Sequence, residues 1–576
     1  DWIPGVTGFS LEDEDGTALA ANRKVGTGQL VTPEVRAVLA GLVTAAGELR
    51  MRVTRPAEVI VLAAVPEVAG FGWRAWDPAD GAAGPAPVEG VTGSAVAGEA
   101  GRGSVTLDTV YDVSVERPRW GALSLVCAAY LAAAGLDVCV CERRDVVGGA
   151  AVTEAFHPGF RNSTASYTVS LLDPQVIRDL RLAEHGLSIV ERPYANFLPL
   201  SAREGDFLKV GGGLAATQAE VANFSARDAE ALPGYYAMLD RVADVLRDLV
   251  HRTPPDVANP ERRDLASMLE AWRTLRSFRA LTLAERRDVV DLFTKSAGEI
   301  LDRRFESAPI KAAFGFDAVV GNFASPYAAG SAYVLLHHVF GEVNGRRGQW
   351  GHAKGGMGAI TQAMARECVA RGVAIRTGAA VARVVVKGGR ACGVELEGGD
   401  VVEAKRVVAN VNPKLLFERL VDPAHVDADF RARMAGYRCG SGTFRMNVAL
   451  TALPDFACLP GRAAAPHHAS GIVIAPSLAY MERAYFDAKT SGWSREPIAE
   501  VLIPSVVDDS LAPPGMHVAS LFCQHALPDV ASVRPGTTWD DHRDEVADLM
   551  IDTVERMAPG FRVSVIGRRA LSPLDL

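Results

Sequence analysis

Residues 111–149 read YDVSVERPRWGALSLVCAAYLAAAGLDVCVCERRDVVGG, and the fold turns on how this stretch is parsed. Tyr111-Asp112-Val113-Ser114-Val115 predicts a short buried strand. Leu123 to Ala134 predicts an alanine-rich helix ended by Gly135, and Leu136 to Cys141 a second strand that closes on Glu142. A strand, a helix and a strand within about 30 residues, ending on an acid, form the βαβ frame that holds an adenine nucleotide. The first turn of that frame should be G-x-G-x-x-G, but here it is Glu116-Arg117-Pro118-Arg119-Trp120-Gly121. Only Gly121 keeps the pattern.

The loss matters for steric and electrostatic reasons. The glycines permit a tight turn, a close approach of backbone to pyrophosphate and close packing of helix on strand. Backbone N–H groups at the helix start then face the anion. Trp120 is too bulky and Pro118 too rigid for these tasks, and non-glycine residues forced into such dihedrals cost roughly 1–3 kcal/mol each. Glu116 repels phosphate; Arg117 and Arg119 either attract it or form a solvated loop face. A further reading is that ERPRW is a few codons translated out of frame, which resequencing the coding DNA checks. Beyond the second strand, Glu142-Arg143-Arg144-Asp145-Val146-Val147-Gly148-Gly149 sets an acid shortly before a glycine pair. The acid can accept hydrogen bonds from ribose hydroxyls, and paired glycines let the chain pass close to a pyrophosphate.

The block DVCVCERRDVVGGAAVTEAFHPGFRNSTASYTVSLLDPQVIRDL (137–180) resembles the FAD-dependent oxidoreductases of the phytoene desaturase and amine oxidase superfamily. Within it, the likeness is greatest to the branch called pyridine nucleotide-disulfide oxidoreductase domain-containing protein 2. The stretches FSARDAEALPGYYAMLDRV (224–242), SAYVLLHHVFGEVNGRRGQWGHAKGGMGAITQAMA (331–365) and VVANVNPKLLFERLVDP (407–423) resemble the same branch in the same order. The likeness runs from about residue 108 to the end. It implies an α/β, Rossmann-like FAD/NAD(P)-binding fold with a mixed α+β substrate domain, and FAD rather than NAD as cofactor. By resemblance, Gly121, Glu142, Arg143, Arg144, Gly148, Gly149 and Ala150 hold the nucleotide. Gly355, Gly356 and Met357 pass beside the isoalloxazine ring, and the backbone at Val381 touches adenine. In the family a glycine-rich strand-helix motif follows a segment like SVIGRRALSPLDL (564–576), so the C-terminal part of the FAD domain is expected to be missing here.

The implied division is an N-terminal extension and linker (1–107), a first FAD-binding piece (108–185), a substrate or helical piece (186–340), a second FAD-binding piece (341–412) and a second substrate piece (413–576). An appended domain, a disordered tail and translated upstream sequence all remain open for 1–107, where Thr32 to Leu49 reads as a helix, Val59 to Val65 as a strand and 77–104 as a Pro/Gly/Ala-rich linker. Residues 216–304 read as mainly helical from apolar recurrence at three and four. A helix follows Lys354-Gly355-Gly356-Met357-Gly358, and a meander follows at Ala380–Val386, Cys392–Glu397 and Val401–Asn410.

Composition is compatible with this picture. The 576 residues exceed one ordinary core. Net charge of −9 argues against nucleic acid, since phosphate binding wants a basic face. The eight cysteines contain no C-x-x-C and read as free thiols in a reducing compartment: cytoplasmic, or the mitochondrial matrix if the source is eukaryotic. The apolar run Leu125 to Cys141 is interrupted by Gly135 and Asp137 and is shorter than the ~20 residues of a spanning helix. No transmembrane segment is therefore expected, although lipidic substrates are compatible with the resemblance. His337-His338 and His467-His468, taken as strand residues, would point to opposite faces and lack metal-site spacing. Tyr167 and Trp350 are candidates for either pocket walls or core. The expected activity is removal of a hydride from a small carbon substrate, with oxygen, quinone or another electron acceptor reoxidising the flavin. The rival reading is a non-catalytic or regulatory protein that keeps the scaffold with a degraded nucleotide loop.

Overall fold

The computed structural model describes residues 8–12, 18–23, 50–54, 104–109, 121–250, 278–279 and 281–576. The altered turn at 116–120, the helix at 32–49 and the strand at 59–65 lie outside the described residues. Two compact units are present, one formed by 1–62 with 75–103 and the other by 63–74 with 104–576. Within the first, the strands Gly8–Glu12, Ala18–Arg23 and Arg50–Thr54 make an antiparallel sheet with Gly8–Glu12 in the middle.

The second unit holds a four-stranded parallel sheet in the order Ala374–Arg376, Asp137–Glu142, Ser104–Thr109, Arg406–Ala409. Asp137–Glu142 is almost continuously buried, as an inner parallel strand covered on both faces must be. The expected first strand at 111–115 is outside the described residues. Beside Asp137–Glu142 lies Ser104–Thr109, which pairs from Ser104 opposite Asp137 to Thr109 opposite Glu142. The boundary drawn at 107/108 and the linker drawn to 104 therefore both cut into a strand. SVTLDT carries alternating β-branched and apolar residues of its own, a pattern that the longer apolar run after it outweighed in the sequence.

The helix Gly121–Ala133 follows, and Gly135 at φ 82° ends it with Leu136 N–H donating to Leu131 O at 3.2 Å. This is the left-handed glycine stop expected from sequence. Against that helix packs Gly358–Ala370. The Cys368 thiol donates to Leu125 O at 3.1 Å, and Arg371 Nη1 donates to Ala129 O at 3.1 Å. Beneath them the fully buried Glu367 collects Arg181, His185 and Arg371, which joins three segments through one carboxylate.

A meander of Val381–Lys387, Arg390–Leu396 and Val401–Glu403 leaves the parallel sheet. The single strand expected over 401–410 is split: Val401–Glu403 stays in the meander and Arg406–Ala409 returns to the parallel sheet. Ala404 makes the break, its N–H donating to Cys392 O at 3.0 Å.

Among the described residues the largest sheet has seven strands, in the order Phe207–Val210, Asn196–Pro199, Gly471–Ile474, Trp493–Leu502, His517–Ala526, Thr443–Leu450, Val565–Leu571. One core buries Phe197, Phe444, Trp539 and Phe561 around this sheet, and a second fills the helical region Ala226–Val250, Ala297–Arg304 and Ala308–Val319. The histidine pairs are not on strands. His337 and His338 begin a short helix, and His467 and His468 lie in a turn with ring centroids 3.9 Å apart. No helix among the described residues is long and apolar enough to cross a membrane.

Candidate active site

Glu142 stands at the carboxyl end of an inner parallel strand and is fully buried. Its Oε1 accepts the Arg144 N–H at 3.0 Å, and its main-chain oxygen accepts the Ala379 N–H at 2.8 Å. The second bond carries the chain into the meander, where buried Val381 packs in one cluster with Cys141. Val381 and Glu142, 239 positions apart in sequence, are thus brought to the same sheet edge. Arg144, one of the residues expected to hold the nucleotide, has its guanidinium ion-paired with Glu154. Arg143 is half-buried, Ala150 O accepts the Ser166 N–H at 2.9 Å, and Gly121 is the first residue of its helix.

The two glycine segments meet. Gly148 has φ 135° and Gly149 φ 58°. A Cβ on Gly148 would stand 2.7 Å from Thr361 Oγ1 and 2.8 Å from Ala151 O, so no other residue fits without a shift. Across from them Gly355 and Gly356 have φ 86° and 80°. A Cβ on Gly356 would collide with Thr153 Oγ1, the atom that already accepts the Gly358 N–H at 2.9 Å. Met357 N–H donates to Ser163 Oγ at 3.0 Å, and Thr361 Oγ1 donates to Ala151 O at 2.9 Å. This seam of backbone and small hydroxyls holds the two glycine segments directly against each other.

Beyond the seam lies a shallow recess with about 20 Å³ of room inside it, the space of one water, and the rest open to solvent. Tyr167, Arg192 and His352 supply its polar lining, with Leu502, Ile503 and Val507 on the apolar side. It adjoins the glycine turn through one carboxylate. Asp508 Oδ2 pairs with His352 Nε2 at 2.9 Å and accepts the Gly355 N–H at 2.7 Å. Burial raises the Asp508 pKa, but hydrogen bonds from His352, Ser510 and Gly355 outweigh it and hold the carboxyl well below the usual range.

Deeper in, Tyr167 OH donates to Glu500 Oε2 at 2.6 Å. Arg445 lies with its guanidinium carbon 4.6 Å from the Tyr167 ring centroid, a cation–π distance. It is 1% exposed, and its Nη2 donates to Ser163 O at 2.8 Å and Ser520 Oγ at 3.0 Å. Asn447 Nδ2 donates to the same Ser163 carbonyl at 2.9 Å. Burial pushes the Arg445 guanidinium down to about 10 and raises the Glu500 carboxyl despite the arginines beside it.

Sequence reasoning named Tyr167 and missed Arg192, His352, Arg445, Glu500 and Asp508. One signal was present. Arg445 and Asn447 interrupt TFRMNVAL, an otherwise largely apolar strand with every residue buried, and a charge in such a strand is rarely idle. Trp350 lines no part of the recess; it packs on His338 with ring centroids 4.7 Å apart.

A parallel nucleotide-type sheet, glycine seams beside it and a large mixed sheet are the parts of an α/β FAD-binding fold. The chain belongs to the flavin containing amine oxidoreductase family, whose model matches residues 125–443. It is 38% identical over 471 residues to pyridine nucleotide-disulfide oxidoreductase domain-containing protein 2 of Mus musculus, covering 79% of this chain and 80% of that protein. It is also 40% identical over 123 residues to a zeta-carotene-forming phytoene desaturase of Myxococcus xanthus, covering 21% of this chain and 23% of that one. In fold it is similar to an oxidoreductase from Methanosarcina mazei, with TM-score 0.50 and 15% identity over 82% of this chain and 88% of the other. The chain is therefore an FAD-dependent oxidoreductase enzyme. The described residues fit that cofactor: a buried acid ends the inner strand, and positive-φ glycines at 148–149 and 355–356 let two backbone segments meet beside it.

Proposed function

We propose that the enzyme removes a hydride from carbon in a small organic substrate, as a dehydrogenase or desaturase, and that the substrate approaches over the mouth of the recess beside the glycine turn. In this reading the FAD domain comprises residues 104–185 and 341–412, and the substrate domain 186–340 and 413–576. The buried Glu142 takes hydrogen bonds from the ribose, and Gly121, Arg143 and Gly148 to Ala150 border the pyrophosphate. Gly355 to Met357 run beside the isoalloxazine, and the Val381 backbone meets adenine. Arg144, committed to Glu154, orders the loop rather than binding phosphate.

Bound FAD supplies the two-electron acceptor; the protein's part is to bind, orient and exclude water. Asp508 fixes His352 and the Gly355 turn with one carboxylate, so the recess and the seam keep a constant spacing. Leu502, Ile503 and Val507 exclude water from one wall. The Tyr167 hydroxyl is held on Glu500 with its proton, since burial and Glu500 keep its pKa well above the usual value.

The observation that carries the reading is the shared Asp508, which connects recess and glycine turn. The test is anaerobic. Full-length protein reconstituted with FAD should lose its visible flavin bands on mixing with an organic hydride donor and regain them with oxygen or a quinone. Protein that stays colourless after reconstitution, or whose FAD is displaced by NAD(P)H, overturns it.

A further inference from the structure

His352 lies in the short strand Gly351–Ala353, and the partner strand Ile189–Glu191 sets it opposite Val190. It is buried, lines the recess and stands three positions before Gly355. Its Nε2 meets Asp508 Oδ2 at 2.9 Å. That carboxylate takes donors on both oxygens. Oδ2 also accepts the Gly355 N–H at 2.7 Å, and Oδ1 accepts the Ser510 N–H at 3.1 Å and the Ser510 hydroxyl at 2.7 Å. A carboxyl group so surrounded acts only as an acceptor, so the hydrogen between the two side chains belongs to His352 Nε2. The tautomer is thereby fixed. Nδ1 is left with its lone pair and no protein partner among the described residues.

The other polar groups around the recess are already committed. Tyr167 OH donates to Glu500 at 2.6 Å, and Glu500 is itself not part of the lining. Glu191 is paired with Arg346 at 3.0 Å, and Ser470 Oγ donates to Pro466 O at 2.8 Å. Arg192 donates to Thr168 Oγ1 and, as a guanidinium, has no lone pair to offer. Among the side chains that line the recess, His352 therefore carries the open base. The room inside, about 20 Å³, suits one water, and Tyr167, Arg192 and His352 supply the polar partners that a held water needs.

We propose that His352 is the proton relay of the reaction, taking through one water in the recess the proton that a substrate releases as its hydride departs. This inference rests on the hydride-transfer reading and assigns a residue to the proton that must leave as well. In the step a C–H bond breaks, and its hydrogen leaves for FAD with both electrons. The X–H bond on the adjacent atom (carbon, nitrogen or oxygen) breaks the other way. Its electrons form the C=X bond, and its proton goes to the water. A general base acts directly or through one such water. The water passes a proton of its own to Nδ1, and the resulting imidazolium keeps its Nε2–H on Asp508. The proton then leaves across the open mouth of the recess. Because Asp508 also accepts the Gly355 N–H, the relay and the glycine turn keep one spacing throughout.

Full-length, FAD-loaded protein allows this to be tested without a substrate. Ring-¹⁵N spectra of histidine-labelled protein at pH 8, with the His352 signals identified by their loss in His352→Gln, should show Nε2 protonated and Nδ1 bare. The reverse tautomer, or a ring protonated on both nitrogens, overturns the proposal. The reduction potential is then followed from about pH 6 to about pH 8 by dye equilibration. Reduction brings negative charge beside the relay, which favours its protonated form. The unaltered protein should thus take up a second proton with each electron pair. His352→Gln should take up only the one that the flavin itself binds, and Tyr167→Phe should match the unaltered protein. A single proton in the unaltered protein, a second proton that survives His352→Gln, or one that Tyr167→Phe abolishes overturns the assignment. Protein that stays colourless removes the flavin reading and this inference with it; yellow protein that fails either measurement removes the inference alone. Should His352→Gln fail to fold, the proton counts of the unaltered protein and of Tyr167→Phe still decide.

Discussion

The glycine seam and the recess adjoin through one aspartate, yet they are built by opposite means. The seam at 148–149 and 355–358 is made by leaving atoms out. Positive φ angles and absent Cβ atoms let backbone meet backbone, and hydroxyls of Thr153, Ser163 and Thr361 tie the strands of the seam together. The recess is made by putting costly atoms in, with two guanidiniums, two carboxylates and a tyrosine enclosed between the loop at 163–168 and the large sheet. A site that depends on omission tolerates no addition. A site that depends on buried charge tolerates no removal, because whatever is left behind is unpaired in a poorly solvated place.

The contrast predicts its own mutants. At the seam, Gly356→Ala should be the most damaging small change. It adds a methyl at φ 80° into Thr153 Oγ1, so strain of roughly 1–3 kcal/mol adds to overpacking of roughly 1–3 kcal/mol. Gly355→Ala is the matched control, because its Cβ would meet only Ala359 Cβ at 3.6 Å and would carry the strain alone. Chemical denaturation of both should separate them; equal losses would break the argument from omission.

In the recess frame, Arg445→Met should cost about 1–3 kcal/mol, since it strands the Ala165 carbonyl while the Ser163 carbonyl keeps Asn447 Nδ2. A value near zero in urea unfolding would mean that the guanidinium contributes nothing net to the fold.

A smaller effect is expected from acid. His525 is fully buried between Phe323 and Tyr485, and burial lowers its pKa from 6.5 to about 3. The unfolded chain therefore takes up a proton near pH 6.5 that the folded one refuses. Stability is full above that pH and falls as pH drops from 6.5 toward about 3. Replacing His525 with Phe should flatten this limb of the stability curve while changing little at pH 8. An unaltered limb would place the acid sensitivity elsewhere, in carboxylates such as Asp508, whose contribution is present above the usual carboxylate range and fades below it.

The same contrast explains what the sequence could reveal. Omission leaves a local trace: Gly148-Gly149 follows Glu142 closely in sequence, whereas the reading of Gly355-Gly356 came from the family resemblance. Charge enclosure leaves little. Tyr167 and Arg192 come from one end of the chain and Arg445, Glu500 and Asp508 from the other, and no periodicity unites them. The strand Ser104–Thr109 was overlooked for a related reason. Ser104–Thr109 looks unremarkable beside YDVSV, and only its pairing with Asp137–Glu142 distinguishes it.

The account depends on Glu142 holding an adenine dinucleotide at the edge of the parallel sheet. Fluorescence titration of full-length apoprotein with FAD, alongside Glu142→Ala, tests that directly. Wild-type protein should quench flavin fluorescence saturably, and the variant should bind at least tenfold more weakly, about 1.4 kcal/mol. Equal affinity of the two proteins, or no binding by either, would contradict it.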